Sequence, residues 1–413
     1  MSLWQAHGCW DPKRVHLTAV QSIPGRGGAL DDIARTNHIE GMTTHRAVVE
    51  ALAHAAADEE SVVLATVVRV TGSSYGGVGA RMLIRVDGST VGLVSGGCVE
   101  SDLAEHARRV NGSGRAEVVR YDTREDDDAP WGLGLGCNGV IDVLLEPLMP
   151  GEARNLGTLI GDALAAEGSS VLASVIRTDD TINLAPSVGA HALLAGDNPK
   201  TTGDWGNRDA LMSAASDTAD ALAAARRGLV REYDGVEIAF EVVKPAVQLV
   251  ICGSGPDVLP ISRTASQLGW DVTVVDHRPV AHAQRFPGAR VVECAKASKL
   301  GDAVRLTPKT AAVVMSHHYS RDMEYVQSLL GANVAYLGVL GPRARTERML
   351  TDLGAAGGSV SAGETLFAPV GMDLGGEGPE AIALSIIAEI SAVVSARAGG
   401  HLRDKRGSLH ASG

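Results

Sequence analysis

The chain has 413 residues, 45% of them hydrophobic and 21% charged, a composition typical of a soluble globular protein with two or three domains. Its net charge of −12 argues against general nucleic-acid binding, because that function needs a basic surface that neutralises phosphates. No uncharged apolar stretch reaches the roughly 18–20 residues of a membrane span, and no signal peptide precedes the five scattered cysteines, so we expect a cytoplasmic protein with reduced thiols.

The first 41 residues show no hydrophobic periodicity, and we expect a poorly structured tail or a non-native extension, with the natural start at Met42. The part that follows, up to residue 243, has the mixed pattern of an α/β domain. Its predicted helices cover residues 42–57, 100–110, 152–166 and 209–227. Its predicted strands cover residues 61–70, 81–86, 90–94, 117–121, 140–146, 170–177 and 237–243. Pro147 is interpreted as a break after a strand, and residues 199–207 as a polar loop.

Two glycine-rich segments of this first part each carry a cysteine. Gly96-Gly97-Cys98 leads into a predicted helix, and a thiol at a helix N-terminus is stabilised as a thiolate. Cys137 lies in a second glycine-rich segment. The plainer interpretation is that both are small buried residues, because cysteine is among the most buried residue types. No Cys-x-x-Cys pair or nearby histidine favours zinc, so two thiols near a glycine-lined pocket favour a soft-ligand or sulfur-handling role.

The loop between the first two predicted strands is rich in glycine and serine. Ser73 and Ser74 lie in this loop, and Arg81 follows it. Hydroxyls, backbone N–H groups and a guanidinium in this pattern are suited to holding a phosphate or a pterin-like polar ligand. The alternative is an ordinary long turn in which Arg81 pairs with Asp102 or Glu100.

Residues 248–278 have the pattern of a dinucleotide-type βαβ unit. An apolar strand at residues 249–252 is followed by the turn Gly253-Ser254-Gly255, a helix over residues 257–268, and a second strand at residues 272–275 that ends at Asp276. Glycines in such a turn allow the backbone to approach a phosphate at the helix N-terminus. Val258 stands at the third glycine position of the full fingerprint, so the pattern indicates the fold more firmly than the ligand.

Strands continue to alternate with helices after residue 278, which predicts a doubly wound parallel sheet. Ligands of such sheets bind at the carboxyl ends of the strands. The polar and glycine residues at these ends are Gly253, Ser254, Gly255, Asp276, His277, Arg278, His317, His318 and Arg343. Arg343, Arg345 and Arg348 lie near a helix N-terminus, where basic residues indicate a bound anion or, alternatively, a solvated helix face. One histidine of the His317-His318 pair is interpreted as an ordinary packed or surface residue, and Cys252 as a core residue.

The ordered set of motifs resembles the XdhC/CoxI family over residues 42–398. The motifs in the first part are Gly72-Ser73-Ser74 with Gly79-Ala80-Arg81-Met82, Ser95-Gly96-Gly97-Cys98-Val99-Glu100, and Gly134-Leu135-Gly136-Cys137. Those in the second part are Val250-Ile251-Cys252-Gly253-Ser254-Gly255-Pro256-Asp257, Val275-Asp276-His277-Arg278-Pro279, Leu340-Gly341-Pro342-Arg343 and Ala368-Pro369-Val370-Gly371-Met372-Asp373-Leu374-Gly375. The family comprises accessory proteins for molybdenum hydroxylases such as xanthine dehydrogenase and carbon monoxide dehydrogenase.

The resemblance implies a chaperone that binds the molybdenum cofactor, protects it during sulfuration and delivers it to a molybdenum hydroxylase. It implies a cysteine desulfurase as sulfur donor, and Cys98 and Cys137 as contacts to molybdenum or sulfur. The expected cofactor-binding residues are Ser73, Ser74, Arg81, Gly96, Gly97, Cys98, Cys137, Gly253, Ser254, Gly255, Asp276, His277, Arg278 and Arg343. A nucleotide at the Rossmann-like half is also considered, and a homodimer is the expectation from the general frequency of such assemblies.

The expected architecture is an N-terminal mixed α/β domain with glycine-rich cysteine loops at residues 42–243, a Rossmann-like doubly wound parallel domain at residues 244–398, and a flexible tail at residues 399–413. The alternative function is an NAD(P)-dependent oxidoreductase, supported by Gly253, Gly255 and Asp276. That alternative needs a catalytic acid or base, for which His317 or His318 is the candidate. The chaperone interpretation predicts an accessory factor in preference to an enzyme.

Overall fold

The computed structural model of the chain describes residues 45–72, 74–97, 99–122, 139–179, 181–194, 198–224, 228–278, 283–355 and 365–404. All of them belong to one compact unit, residues 41–413. The tail predicted at residues 1–41 and the proposed start at Met42 lie outside the described residues. No described helix is long and apolar enough to cross a membrane.

The first part of the described chain forms a five-stranded antiparallel sheet with two helices. Its elements are α1 (His45–Ala57), β1 (Val62–Gly72), β2 (Arg81–Ile84), β3 (Thr90–Gly92), α2 (Glu100–Ser113), β4 (Glu117–Asp122) and β5 (Gly139–Leu148). The strand order is β3-β2-β1-β5-β4. Apolar residues of β1, β2 and β5 alternate toward a core that α2 covers with Leu103, Ala107 and Val110.

The next part repeats this arrangement. Its elements are α3 (Pro150–Ala165), β6 (Ser170–Thr178), β7 (His191–Leu194), β8 (Lys200–Thr202), α4 (Asp209–Ser216), α5 (Thr218–Ala224), β9 (Leu229–Tyr233) and β10 (Val236–Val243). The strand order is β8-β7-β6-β10-β9, which matches that of the first sheet strand for strand. The region before the parallel sheet is therefore an internal duplication, and we call its halves the first repeat and the second repeat.

The duplication is visible in the sequence and in the hydrogen bonds. Residues 63–69 read Val-Leu-Ala-Thr-Val-Val-Arg and residues 171–177 read Val-Leu-Ala-Ser-Val-Ile-Arg, while Val-Gly-Ala occurs at residues 78–80 and again at 188–190. The Tyr121 hydroxyl donates to Asp102 at 2.6 Å in the first repeat, and the equivalent Tyr233 hydroxyl donates to Asp217 at 2.6 Å in the second. The two sheets meet at a small apolar cluster of equivalent residues, namely Val68, Leu144, Ile176 and Ala239.

The last part is a six-stranded, fully parallel sheet with helices on both faces, which confirms the predicted doubly wound domain. Its elements are β11 (Gln248–Cys252), α6 (Val258–Gln267), β12 (Asp271–Asp276), β13 (Ala289–Glu293), α7 (Leu300–Ala303), β14 (Thr310–Val314), α8 (Tyr319–Leu330), β15 (Tyr336–Val339), α9 (Arg343–Ala355), β16 (Leu366–Phe367) and α10 (Pro379–Val394). The order β13-β12-β11-β14-β15-β16 is the strand order of dinucleotide-binding sheets.

The central strand β11 is buried on both faces, as its continuous apolar run predicts. Leu249 and Ile251 pack into the core under α6 and α10, and Val250 and Cys252 into the core on the other face. Cys252 is 0% exposed, which confirms it as a core residue, and burial raises the pKa of its thiol.

Several sequence predictions for the second repeat, its borders and the last strand of the parallel sheet are wrong in detail. Strand β5 continues through Pro147 to Leu148, and the proline is tolerated because the last pair between β4 and β5 is at Leu145, so no second described strand lies beside it. Residues 200–202 of the predicted loop form β8, and β7, β9 and β16 were not predicted. The helix predicted over residues 209–227 is two helices, α4 and α5, that meet at Asp217, whose side chain accepts the Tyr233 hydroxyl. The domain boundaries remain predictions.

Candidate functional site

Two glycine-rich loops of the first repeat lie against each other. We call them the serine loop (residues 73–80, between β1 and β2) and the cysteine loop (residues 93–99, between β3 and α2). A Cβ atom added to Gly76 of the serine loop would overlap the carbonyl oxygen of Val94 in the cysteine loop. A Cβ added to Gly96 would lie 3.5 Å from the Tyr75 ring. The structure therefore places the serine loop and the cysteine loop side by side at one edge of the sheet, while the predicted roles of Ser74, Gly96 and Gly97 in binding a ligand remain predictions.

The residues on either side of the segment that carries Cys137 lie at this edge. Gly72, the last residue of β1, pairs with Gly139, the first residue of β5, and Asp122 pairs with Val140. Cys137 precedes Gly139 by two residues in the sequence. Ser73, Cys98 and Cys137 lie outside the described residues, so their predicted roles as ligands remain predictions.

The cysteine loop is closed by a carboxylate at the start of α2. Glu100 accepts hydrogen bonds from the backbone N–H of Ser95 at 2.7 Å and from its hydroxyl at 2.6 Å. The backbone N–H of Val99 donates to the same carboxylate at 3.2 Å. Glu100 thus satisfies donors at the helix N-terminus and fixes both ends of the loop. A Cβ added to Gly97 meets no described atom within 4 Å, so the tip of the loop has open space beside it.

Arg81 is buried beneath the serine loop and is paired across the repeats. It is 4% exposed, and its Nη1 donates to Glu241 Oε1 at 2.9 Å and to the carbonyl of Gly79 at 3.0 Å. Its Nη2 donates to Glu241 Oε2, and its Nε has no hydrogen-bond partner among the described residues. The suggested alternative partners, Asp102 and Glu100, are therefore wrong: the counter-charge comes from β10.

The charge of Arg81 determines the ionisation of Glu241. Burial acts to raise the pKa of Glu241, but the Arg81 charge and its hydrogen bonds outweigh burial and hold that pKa below its ordinary value. The pair lies beside a pocket of about 190 Å³ next to the serine loop, to which both His45 and Arg81 contribute. Arg81 therefore acts from beneath the loop with its charge already balanced.

The glycine turn of the parallel sheet packs closely against the backbone that follows β14. Gly253 has φ of 137°, and a Cβ there would lie 2.6 Å from the carbonyl oxygen of Met315. Only glycine fits this close approach. The position beside the next glycine is filled, since a Cβ added to Gly255 would overlap Asp257 Oδ1. Asp257 Oδ2 pairs with His317 Nε2 at 2.7 Å, so a carboxylate occupies the N-terminal end of α6 where a phosphate would bind.

Asp276, the acidic residue at the end of β12, already accepts hydrogen bonds from neighbouring residues. Its carboxylate accepts from the Ser254 hydroxyl, from the backbone N–H of Arg278 at 2.8 Å and from the guanidinium at 3.0 Å. His277 Nδ1 lies 3.0 Å from the same carboxylate. Burial acts to raise the pKa of Asp276, but these hydrogen bonds outweigh it and hold the pKa well below its ordinary value. The carboxylate that would bind a ribose hydroxyl in a dinucleotide enzyme thus has hydrogen-bond partners within the protein.

The three arginines near the start of α9 have different surroundings. Arg345 Nη2 donates at 2.7 Å to Asp322, which is 1% exposed, and its guanidinium lies over the Tyr319 ring. Arg348 also lies over Tyr319 and pairs with Asp352 at 3.8 Å. Arg343, the first residue of α9, is exposed to solvent and takes part in neither of these contacts. Of the three, Arg343 is therefore the best suited to bind an anion.

Sequence reasoning did not identify the residues that connect the repeats. Glu241 and Glu146 are buried carboxylates in β10 and β5, and His191 lies opposite Glu146 at 2.6 Å. The signal that points to them is a second repeated pattern, Ile-Asp-Val-Leu-Leu-Glu at residues 141–146 and Val-Glu-Ile-Ala-Phe-Glu at residues 236–241, and strand pairing places Glu146 and Glu241 at equivalent positions. Among the described residues, no group of three or more His, Cys, Asp or Glu side chains is arranged to hold a metal ion.

Comparison with known proteins agrees with this architecture. Residues 249–390 match the family model of the XdhC Rossmann domain, and residues 55–122 match that of the XdhC and CoxI family. The chain is 33% identical over 336 residues to a Bacillus subtilis (strain 168) protein named as a probable xanthine dehydrogenase subunit, covering 81% of this chain and 93% of that protein. It is 25% identical over 350 residues to the molybdenum cofactor insertion chaperone PaoD of Escherichia coli (strain K12), covering 84% and 88% respectively.

A solved structure has the same fold. The crystal structure of a xanthine dehydrogenase from Bacillus halodurans superposes with a TM-score of 0.66 at 31% identity, covering 85% of this chain and 96% of the other. The similarity extends over both the duplicated region and the parallel sheet.

Proposed function

The chain belongs to the XdhC and CoxI family, and we propose that it is a maturation factor that binds the molybdenum cofactor, protects it during sulfuration and delivers it to a molybdenum hydroxylase. The relative named as a molybdenum cofactor insertion chaperone supports this role. The single observation in the molecule that supports it most is the meeting of the serine loop and the cysteine loop at one sheet edge, with Gly72 and Gly139 paired beside them.

The proposed cargo fits the chemistry of this edge. No described atom lies within 4 Å of a Cβ added to Gly77 or Gly97, and the backbone N–H groups of these loops, together with Ser74, suit the polar pterin and its phosphate. We propose Cys98 and Cys137 as thiolate contacts to molybdenum or to its sulfur, because thiolates are soft ligands. A cysteine desulfurase is proposed as the sulfur donor, and a homodimer as the working assembly, in the cytoplasm where thiols remain reduced.

The geometry of the parallel sheet counts against the alternative of an NAD(P)-dependent oxidoreductase. A dinucleotide would bring its pyrophosphate to the turn after β11, where the Asp257 carboxylate lies, and its ribose to Asp276, whose oxygens are already engaged. The Asp257 carboxylate disfavours a negatively charged group in the usual pyrophosphate position, and the engaged Asp276 disfavours the usual ribose contact. A nucleotide carried by the cofactor would therefore need another orientation, one that uses the exposed Arg343.

Cofactor retention tests the proposal. Purified protein is incubated with free molybdenum cofactor, desalted, and measured for molybdenum by elemental analysis and for pterin by fluorescence. We expect near-stoichiometric retention, lost in Cys98→Ala and Cys137→Ala and kept in Cys294→Ala, a control that removes a buried thiol with a hydrogen bond to the Lys296 carbonyl. No retention by the unaltered protein, with retention of NAD(P) instead, would reverse the assignment.

A further inference from the structure

We propose that Glu241 of the second repeat is a positioning residue for the serine loop of the first repeat. It would hold the Gly79 turn and Arg81 in the conformation that the loop needs to receive its ligand. The inference rests on the proposed function for the identity of that ligand, but the positioning itself is argued from contacts within the chain.

The Glu241 side chain fills the space that any side chain at position 79 would need. A Cβ added to Gly79 would lie 2.9 Å or less from Oε1, Cδ and Cγ of Glu241, and Gly79 has φ of 89°. The Gly79 carbonyl accepts from Arg81 Nη1 at 3.0 Å, and the same nitrogen donates to Glu241. Carboxylate, guanidinium and peptide thus form one closed cluster at the end of the serine loop, and β10 supplies its anion.

The second repeat contains the counterpart of this cluster, and there the carboxylate comes from the first repeat. Arg81 pairs with Thr66 across the strands of the first sheet, and His191 pairs with Ser174 in the second, so Arg81 and His191 are equivalent. Likewise Glu146 lies opposite Leu64 in the first sheet and Glu241 opposite Leu172 in the second. His191 contacts Glu146 of the first repeat at 2.6 Å, and Gly189 has φ of 88° beside that carboxylate. Each repeat therefore receives its buried carboxylate from the other.

The surroundings of the two clusters differ, and this difference assigns the role to Glu241. The Arg81 cluster lies beneath the serine loop, which touches the cysteine loop. His191 instead makes further contacts within its own repeat. Ser174 Oγ lies 2.8 Å from its Nδ1, and the Trp205 indole donates a hydrogen bond to its backbone carbonyl at 3.0 Å. No predicted site residue lies in this second turn. Glu146 is consequently a matched control, a buried carboxylate in the same fold position with no predicted ligand loop above it.

Hydrogen exchange of the full-length protein tests the positioning directly. We expect Glu241→Gln to increase the exchange rate of amides in residues 74–80 at least tenfold, while Glu146→Gln leaves them at the unaltered rate. Equal effects of the two variants on residues 74–80, or no effect of Glu241→Gln, would overturn the proposal. If Glu241→Gln does not fold, Glu241→Asp takes its place. Because it keeps the charge but shortens the reach to Gly79, it should still increase the exchange rate of residues 74–80, though by less than Glu241→Gln, and no increase would overturn the proposal.

Retention of the molybdenum cofactor links this positioning to function. We expect Glu241→Gln to release the cofactor at least tenfold faster than Glu146→Gln does, and Glu241→Asp to restore part of the retention. Loss of retention in proportion to thermal stability in both variants would make Glu241 merely structural and would overturn the inference. If the unaltered protein does not retain the cofactor, the proposed function fails, while the exchange result still decides whether Glu241 positions the loop.

Discussion

Arg81 and Glu241 form a buried ion pair between β2 and β10, two strands that belong to different repeats and lie 160 residues apart in the sequence. Arg81 is 4% exposed and Glu241 is 8% exposed, so both charges have largely lost their hydration. A buried pair of this kind is tolerated only where hydrogen bonds compensate the lost hydration, and here the Gly79 carbonyl provides one of them. The duplication supplies a counterpart for each member, which makes comparative tests possible.

Gly79→Ala should destabilise the protein more than Gly189→Ala. Both glycines have nearly the same φ, 89° and 88°, so the backbone strain of about 1–2 kcal/mol is shared. The difference comes from the neighbouring carboxylate, since a new Cβ at residue 79 would lie 2.9 Å or less from three atoms of Glu241, whereas the nearest atom at residue 189 is 3.0 Å away. Glu241 cannot withdraw without breaking its bonds to Arg81. We expect an additional loss of about 1–2 kcal/mol for Gly79→Ala, measured by urea unfolding; equal losses would contradict this.

Glu241→Gln should reduce the dependence of stability on acid pH. The pKa of Glu241 is lower in the folded protein than its ordinary value of 4.5, so the unfolded chain takes up a proton first as the pH falls. The stabilisation from this group is present above pH 4.5 and is lost progressively below it. We expect the urea midpoint of the unaltered protein to fall more between pH 6 and pH 3.5 than that of Glu241→Gln. Parallel curves for the two proteins would show that the pKa of Glu241 is the same in the folded and unfolded states, contrary to this prediction.

The parallel half of the fold was predictable from sequence because its strands are buried on both faces. The run at residues 249–252 is continuously apolar, and its glycine turn and following helix leave one interpretation. The second repeat was less predictable because β7 and β8 have only four and three residues and lack an Asp-Gly hairpin signal. The equally short β2 and β3 are joined by an Asp-Gly turn at residues 87 and 88, and residues 195–199 between β7 and β8 contain no such pair. Glu241 was missed because a pair that joins residues 160 apart leaves no local signal. The repeated pattern at residues 141–146 and 236–241 marks Glu146 and Glu241 as equivalent but does not show which residue each one pairs with.

The unaltered protein should bind NAD(H) weakly, and Asp257→Asn should strengthen the binding. The Asp257 carboxylate lies at the N-terminal end of α6 and repels a phosphate, and the asparagine keeps its shape while removing the charge. A change of about 1 kcal/mol corresponds to roughly a fivefold gain in affinity, read by nicotinamide fluorescence titration. Asp271→Asn is the control and should have no effect on binding, because Asp271 is the first residue of β12, at the end of the strand away from Asp276. Tight binding by the unaltered protein would restore the oxidoreductase alternative.

Cys252 and Cys294 should not react with iodoacetamide in the folded protein. They are 0% and 4% exposed, and burial raises the pKa of each thiol, so the reactive thiolate is scarce. Mass spectrometry of peptides labelled before and after unfolding in urea measures this, and both residues should be labelled only after unfolding. If Cys98 and Cys137 hold the cofactor, loading the protein should protect them from a reagent that labels them in its absence. Labelling of Cys252 in the folded state would contradict the described core.

Substitution of Arg345 should lower stability, whereas substitution of Arg343 should weaken anion binding. Arg345→Ala leaves the 1% exposed Asp322 without its guanidinium partner, although the Ser316 backbone N–H still donates to it at 3.0 Å. Because 22% of the Arg345 side chain is exposed, we expect the free energy of unfolding to fall by about 2–3 kcal/mol, less than the about 3–5 kcal/mol for a fully buried pair.

Arg343→Ala should change the free energy of unfolding by less than about 0.5 kcal/mol, because the side chain is exposed. It should instead weaken retention of a cofactor that carries a nucleotide, measured beside the nucleotide-free form. Equal retention of both forms by Arg343→Ala would remove this residue from the site and leave α9 with a structural role alone.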